Sequence, residues 1–283
     1  MPCRVPSEHQ AITKLSTCNN STPGDVLSNV PAKQITRRTT GSSAALPATL
    51  DQDILTDAST AAAAENSFVH DVYNAIADHF SDTRYKPWPV VDGFLGSLPA
   101  GSLLADVGCG NGKYLGVNPS VMGIGCDRSD ALIGICNNRG FESLVADNLS
   151  LPFRSGLFDA AISIAVIHHL VTEERRLAAM AEIVRLLRPG GRLLVFVWAL
   201  EQDKFGSSNT TQDLFVPWKL RSSTPAATAS VAPSTAQEPR VFNRFYHLFK
   251  SGELEMLASR LANVRVLRSG YDRDNWYIIL ERQ

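Results

Sequence analysis

A chain of 283 residues, 44% hydrophobic and with a formal net charge of −1, can bury one sizeable core and offers no global attraction to a polyanion. No apolar run reaches bilayer-spanning length and the start lacks an apolar signal core, so a soluble protein away from membranes, cytoplasmic or shared with the nucleus, is expected. The five cysteines, Cys3, Cys18, Cys109, Cys126 and Cys136, are odd in number and lack CxxC spacing, which speaks against a disulfide framework or an internal zinc site.

Residues 1–64 are rich in Ser, Thr, Ala, Asn and Pro with no sustained period, the composition of a disordered tail that cannot repay its ordering entropy. Their first 50 residues hold five cations and two acids, so a mitochondrial transit peptide is the alternative reading. From Asn66 the apolar positions Phe68, Val69, Val72, Tyr73, Ile76, Ala77 and Phe80 recur at helical spacing. That helix ends in HFSDTRYKPWP, residues 79–89, where Pro87 and Pro89 hold Arg84, Tyr85, Lys86 and Trp88 on a stiff segment. The segment is either a capped helix end with a packed Trp or a set of side chains shown to a ligand.

The periodicity then switches. Short apolar runs at 103–107, 121–126, 144–146, 160–165 and 193–198 alternate with helical stretches, clearest over 173–187, and predict β-α-β units with a mostly parallel sheet. RPGG at 188–191 ends that helix and starts the next strand. Residues 221–239 return to Ser, Thr, Ala and Pro and read as a flexible insertion in a single domain spanning 65–283. Runs at 264–269 and 276–280, separated by GYDRDN, predict a closing hairpin, and residues 240–283 carry 8 basic against 5 acidic groups.

The sharpest chemical signal is ADVGCGNGKY, residues 105–114. A strand running into Gly108, Gly110 and Gly112 lets the backbone turn tightly and approach a ligand, and Asp127, ending the next strand, can take two ribose hydroxyls. Dinucleotide and S-adenosyl-L-methionine proteins share that arrangement. The GxGxG spacing and the acid Asp106 favour the methyl donor, because a sulfonium amino acid needs a negative charge that would repel a pyrophosphate. Asp147 with Asn148 could accept from an adenine amino group, and Ile164, near the end of the fourth run, completes the expected cofactor set.

Several stretches resemble a narrower family, the fungal tRNA methyltransferases that esterify 5-carboxymethyluridine at the wobble position, related to the methyltransferase domain of the animal AlkB-type tRNA homologue. They include VYNAIADHFSDTRYKPWP, DVGCGNGKYLGVNP, CDRSD, LVADNLSLPF, FDAAISIAVIHHL, LFVPWKL, FYHLFKSGEL and GYDRDNWYIIL. The resemblance implies a Rossmann-like α/β fold with a seven-stranded, mostly parallel sheet. It also implies S-adenosyl-L-methionine as cofactor, a tRNA anticodon loop as substrate and a small zinc-binding activator subunit as partner. By the same resemblance Arg84 and His168 are the expected catalytic residues. Tyr85, Lys86, His169, Arg244, His247, Arg273, Asp274, Asn275 and Trp276 are the expected substrate contacts.

The chemistry agrees: a carboxylate is a nucleophile at neutral pH without a general base, and needs placement by cations and neutral donors. A quinone- or sterol-type methyltransferase is the alternative enzyme, and a catalytically dead scaffold the alternative class. For the activator, the third strand is expected at a bare sheet edge. Leu144 on that strand and Ile133 on the apolar helix beside it are the expected interface.

Overall fold

The computed structural model describes residues 58–83, 87–202, 211–220 and 240–283. Residues 1–57 of the tail, Arg84, Tyr85 and Lys86 of the opening segment, and the insertion 221–239 lie outside the described residues. Helix starts earlier than its apolar period suggests: α1 covers Ala58–Glu65, a π-helical turn Asn66–His70, and α2 Asp71–Asp82. The alanines of ASTAAAAE, strong helix formers without an amphipathic stripe, explain why α1 left no periodic signal.

The central sheet has seven strands: β1 (Leu103–Val107), β2 (Met122–Asp127), β3 (Ser143–Val145), β4 (Phe158–Ile164), β5 (Leu187–Trp198), β8 (Val264–Asp272) and β9 (Asn275–Arg282). Their order is β3-β2-β1-β4-β5-β9-β8. The first five are mutually parallel, and β9 runs antiparallel to both β5 and β8, so the expected fold class and closing hairpin are present. Strand β5 is apolar on both faces. Leu193, Val195 and Val197 join the core under α5 (Glu173–Leu186) and α6 (Glu253–Ser259), while Leu194 and Phe196 join the core under α3 (Pro89–Gly96). Burial from both sides is what makes this run continuous instead of alternating.

Two strands outside the sheet, β6 (Asp213–Leu220) and β7 (Arg240–His247), form an antiparallel ribbon that no sequence pattern announced. Pro217 sits within β6, tolerable because both strands of a two-stranded ribbon have a free edge. No helix among the described residues is long and apolar enough to cross a membrane.

Strand β3 does lie at the sheet edge, but the helix beside it is not open to a partner in the way expected. In α4 (Asp130–Asn138), Ile133 is buried with Cys109, Leu115 and Cys136, and α2 packs against the same helix. A helix apolar nearly all round is here sandwiched within its own chain, so Ile133 is a core residue. Leu144 is half-buried against the core; the exposed apolar side chains at this edge are Val145 and Met122.

Candidate functional site

The order reversal between β1 and β4 opens a crevice at the carboxyl ends of the strands, where ligands bind in such sheets. The loop after β1 crosses it. Gly108 has φ +81°, and a Cβ there would overlap the Val166 side chain. Gly110, at φ +56°, donates its N–H to Asp127 Oδ2 at 2.9 Å. A side chain at Gly110 would meet only the Phe80 ring, so the space above this residue is open. Gly112 faces Cys136 and Phe141, away from the crevice.

Asp127 lines the crevice with its other oxygen accepting from Ser129 N at 2.9 Å, and burial raises its pKa. Asp106 lies deeper, 1% exposed and outside the crevice wall. Its Oδ2 has no hydrogen-bond partner among the described residues, and burial, followed by the charges of Cys136 and Asp127, pushes its pKa well up. An orphaned carboxyl oxygen is costly unless something cationic or donating compensates it. Asp147 and Asn148 also line the crevice, though Asp147 is paired with Arg128 and accepts from Leu149 N. Ile164 supplies an apolar wall.

The crevice encloses about 1230 Å³ of empty space, part of it open to solvent. Its roof comes from the segment before β1: Glu65, Val69, His70, Tyr73, Phe80 and Trp88 all line it. Glu65 anchors that roof, being 2% exposed and accepting from Val171 N (2.9 Å), Arg175 Nε (2.8 Å) and Arg175 Nη2 (2.5 Å). Trp88 fills both of its expected roles, packing on Phe196 at 5.3 Å while lining the crevice.

Beyond β4 the chain turns sharply through Ala165, at φ +61°, into a single 3₁₀ turn, Ile167–His169, that points two histidines inward. Their tautomers follow from the backbone. His168 Nδ1 accepts from Trp198 N at 3.1 Å, so its ring proton is on Nε2. His169 Nδ1 donates to Phe245 O at 2.7 Å, leaving Nε2 to accept from Tyr73 Oη at 2.9 Å. With its hydrogen spent, Tyr73 accepts from Tyr246 Oη at 3.3 Å, and Tyr246 in turn accepts from Arg244 Nη1 at 2.8 Å. A directed chain thus runs Arg244 → Tyr246 → Tyr73 → His169 → Phe245. Burial lowers the His169 pKa to about 3, so the ring stays neutral.

Arg244 is 4% exposed and lies over the rings of Trp218 (4.7 Å) and Tyr246 (5.2 Å). Its Nε has no partner, and among the described residues no carboxylate lies within ion-pair distance of it. Trp198 and Tyr246 stack at 4.3 Å and 20° on the crevice wall.

A methyltransferase-domain family profile matches residues 105–195. A Schizosaccharomyces pombe tRNA (carboxymethyluridine(34)-5-O)-methyltransferase is 49% identical, the match covering 77% of this chain and 97% of the relative. The chain belongs to that family. The Saccharomyces cerevisiae member is 40% identical over 79% of this chain and 98% of its own length. The Xenopus tropicalis member is 48% identical over 77% of this chain, which spans only 41% of that longer relative. Among solved structures, a SAM-bound amino pentose methyltransferase from Micromonospora echinaspora aligns at TM-score 0.52 and 18% identity over 74% of this chain and 97% of its own. A complex of the Haloferax volcanii Trm112 methyltransferase activator with a methyltransferase aligns at 0.52 and 15%, over 76% and 97%. Both share the fold. The cofactor is S-adenosylmethionine, and the residues present fit it: an acid-lined crevice, an open space above Gly110, and the uncompensated oxygen of Asp106.

In this family member the other expected contacts sort cleanly. His168 and His169 line the crevice, and Arg244 stands directly behind Tyr246. His247 does not line it: both ring nitrogens are held, by Asp213 at 2.7 Å and Glu253 at 2.6 Å. Arg273 and Asp274, at φ +48° and +66°, are the two central residues of the β8–β9 turn, the pattern of a type I′ hairpin. Asn275 ties that turn through its side-chain amide to the carbonyls of Asp272 and Arg273, and Trp276 Nε1 donates to Glu201. The turn hangs beside Trp198, which pairs with Asn275, and does not line the crevice itself. Trp198 and Tyr246 are wall residues that sequence reasoning missed. An aromatic at the carboxyl end of a central strand was the one available signal, and it applied to Trp198.

Proposed function

We propose that this chain carries out methyl transfer to the carboxylate of 5-carboxymethyluridine in tRNA, with His168 holding the acceptor and Arg244 placing positive charge behind Tyr246 of the crevice wall. S-adenosylmethionine supplies an electrophilic methyl group on a sulfonium sulfur. The chain's own residues have to hold an anion in place and keep water out, which is a task of orientation. His168 presents a donor whose tautomer is fixed by the Trp198 N–H, and Arg244 supplies buried positive charge lacking a protein counterion among the described residues. Arg84 is, by family resemblance, a second cation for the acceptor.

The observation that carries this reading is the absence of a poised base among the described crevice residues. Glu65, Asp127 and Asp147 already accept from the chain. Burial, then Arg128, lowers the His70 pKa to about 4, and His169 is held neutral with both nitrogens engaged. His168 has committed Nδ1 to a backbone N–H. A phenol or carbon acceptor would need a proton removed; a carboxylate does not. The names of the relatives likewise favour tRNA over a small-molecule acceptor.

The experiment is a rate profile on tRNA bearing carboxymethyluridine. Turnover stays nearly flat from about pH 6.5 to 9, because the nucleophile is ionised throughout. A rise with slope near one overturns the reading. Mass spectrometry of wobble nucleosides from cells lacking the protein identifies which tRNAs lose the ester.

A small zinc-binding activator subunit completes the proposal. It is supported by the β3 edge, unpaired among the described residues, with exposed Val145 and Met122, a template for pairing with another chain, and by the family resemblance.

A further inference from the structure

The β6–β7 ribbon has two unlike faces. In an antiparallel pair, residues directly opposite share a face. One face carries Phe215 opposite Phe245, packed with Phe68, Val69 and Val171, and ends in exposed Lys219 opposite Val241. The other carries Leu214/Tyr246, Val216/Arg244, Trp218/Phe242 and Leu220/Arg240. Along this second face cations alternate with aromatic rings. Tyr246 is in the crevice wall, Arg244 lies over Trp218 and Tyr246, and Arg240 lies over Phe242 at 5.2 Å. Residues 214–220 and 240–246 themselves contain no Asp or Glu.

Two buried donors on that face have no partner among the described residues: Arg244 Nε and Trp218 Nε1. Unpaired buried donors are costly, and they suit a ligand rich in acceptors. From Tyr246 to Arg240 the strand advances about 20 Å, enough to follow several nucleotides. Alternating guanidinium and aromatic planes are what unstacked bases and phosphates engage in single-stranded RNA.

We propose that this face of the ribbon is a track for the single-stranded anticodon loop, leading the acceptor nucleotide to the crevice. The inference rests on the tRNA reading above and deepens it. A base flanking the target nucleotide stacks on Phe242, whose ring carries Arg240 at 5.2 Å, and Arg240 engages the backbone at the outer end. The ribbon's other face packs against Phe68 and Val69, and on the track face Trp218 meets His79 (5.3 Å) and Phe80 (6.1 Å), so RNA bound to the track also bears on the end of α2.

The test uses the full chain and tRNA, read by binding across a salt series and separately by calorimetry of donor binding. Arg240→Ala is expected to flatten the slope of log affinity against log salt by about 0.7, the value for one contact on a single strand. Phe242→Ala is expected to weaken tRNA binding by roughly five- to a hundred-and-fifty-fold with the slope unchanged, the range for one lost base stack. Lys219→Ala removes the same charge from the opposite face and should change neither. Donor affinity should match wild type in all three. Equal effects of Arg240→Ala and Lys219→Ala would mean diffuse attraction and overturn the track, as would wild-type tRNA binding by Arg240→Ala and Phe242→Ala. Loss of the track with intact transfer to tRNA leaves the function standing; a wild-type chain that binds tRNA without transferring methyl to it overturns the function and not the track.

Discussion

The substitution Glu65→Gln should loosen the roof of the crevice without disturbing the sheet. The wild-type carboxylate receives three hydrogen bonds, one from Val171 N and two from the Arg175 guanidinium. The substituted amide would keep an acceptor where Oε1 stands but set an NH₂ donor against Arg175 Nη2, losing a charge-assisted bond and the ionic attraction. Removing one partner of a fully buried pair costs about 3 to 5 kcal/mol. Here Arg175 keeps 17% side-chain exposure and can turn toward water, so about 2 to 3 kcal/mol is expected, near the upper range for one charged hydrogen bond. That corresponds to roughly a thirty- to hundred-and-fifty-fold rise in local opening. Hydrogen exchange is the assay: amides of α1 and the π-helical turn should speed up by that factor, while β1, β4 and β5 stay protected. Helix α2 should respond less, because Ser81 has its own anchors in Asn111 and Arg139. Donor affinity should weaken in step, since Val69 and His70 line the crevice. Unchanged exchange in residues 58–70, or an equal rise across the sheet, would refute the anchoring role.

Asp106→Asn should raise the melting temperature of the ligand-free protein near neutral pH and weaken donor binding in calorimetry. The native fold raises this pKa by burial, so the penalty it imposes is complete above the raised value and disappears as pH falls toward about 4; the stability gain of Asn should vanish there too. Tyr73→Phe leaves His169 Nε2 and Tyr246 without their shared partner and should cost about 1 to 3 kcal/mol, appearing as slower transfer with donor affinity near wild type; an unchanged turnover would remove Tyr73 from the positioning chain. Val145→Arg at the exposed edge of β3 should abolish co-purification with the proposed activator subunit while the melting temperature of the chain alone stays within about 1 °C; retained co-purification would exclude this edge as the interface.

The sheet was legible because its strands are short apolar runs bounded by glycines and polar turns, and each strand's signal lies within its own residues. The ribbon was not, because its register joins 213–220 to 240–247 across a long interval and Pro217 argues locally against a strand. The glycine loop and Asp127 were readable as a contiguous motif, whereas Tyr73, Trp198 and Tyr246 meet only through tertiary packing from three separate elements. His247 and the residues from Arg273 to Trp276 looked like ligand groups because polar and aromatic types are mixed there. His247 is instead held by Asp213 and Glu253, Trp276 Nε1 by Glu201, and the Asn275 amide nitrogen by the hairpin backbone. Ile133 differs for the opposite reason: no pattern inside α4 discloses that Cys109 and Leu115 of the loop after β1, with Phe141, supply the cover for it.

Ala165 has a consequence for anyone who would stabilise this protein. A left-handed backbone at a residue with a Cβ costs about 1 to 2 kcal/mol, and glycine would relieve it. A thermostability screen would therefore select Ala165→Gly readily. Yet that methyl group narrows the conformations open to the joint between β4 and the histidine turn, and with it the swing of both imidazoles. The relaxed variant would trade a stiff wrist for a loose one, surviving heat better while aiming its donors less well.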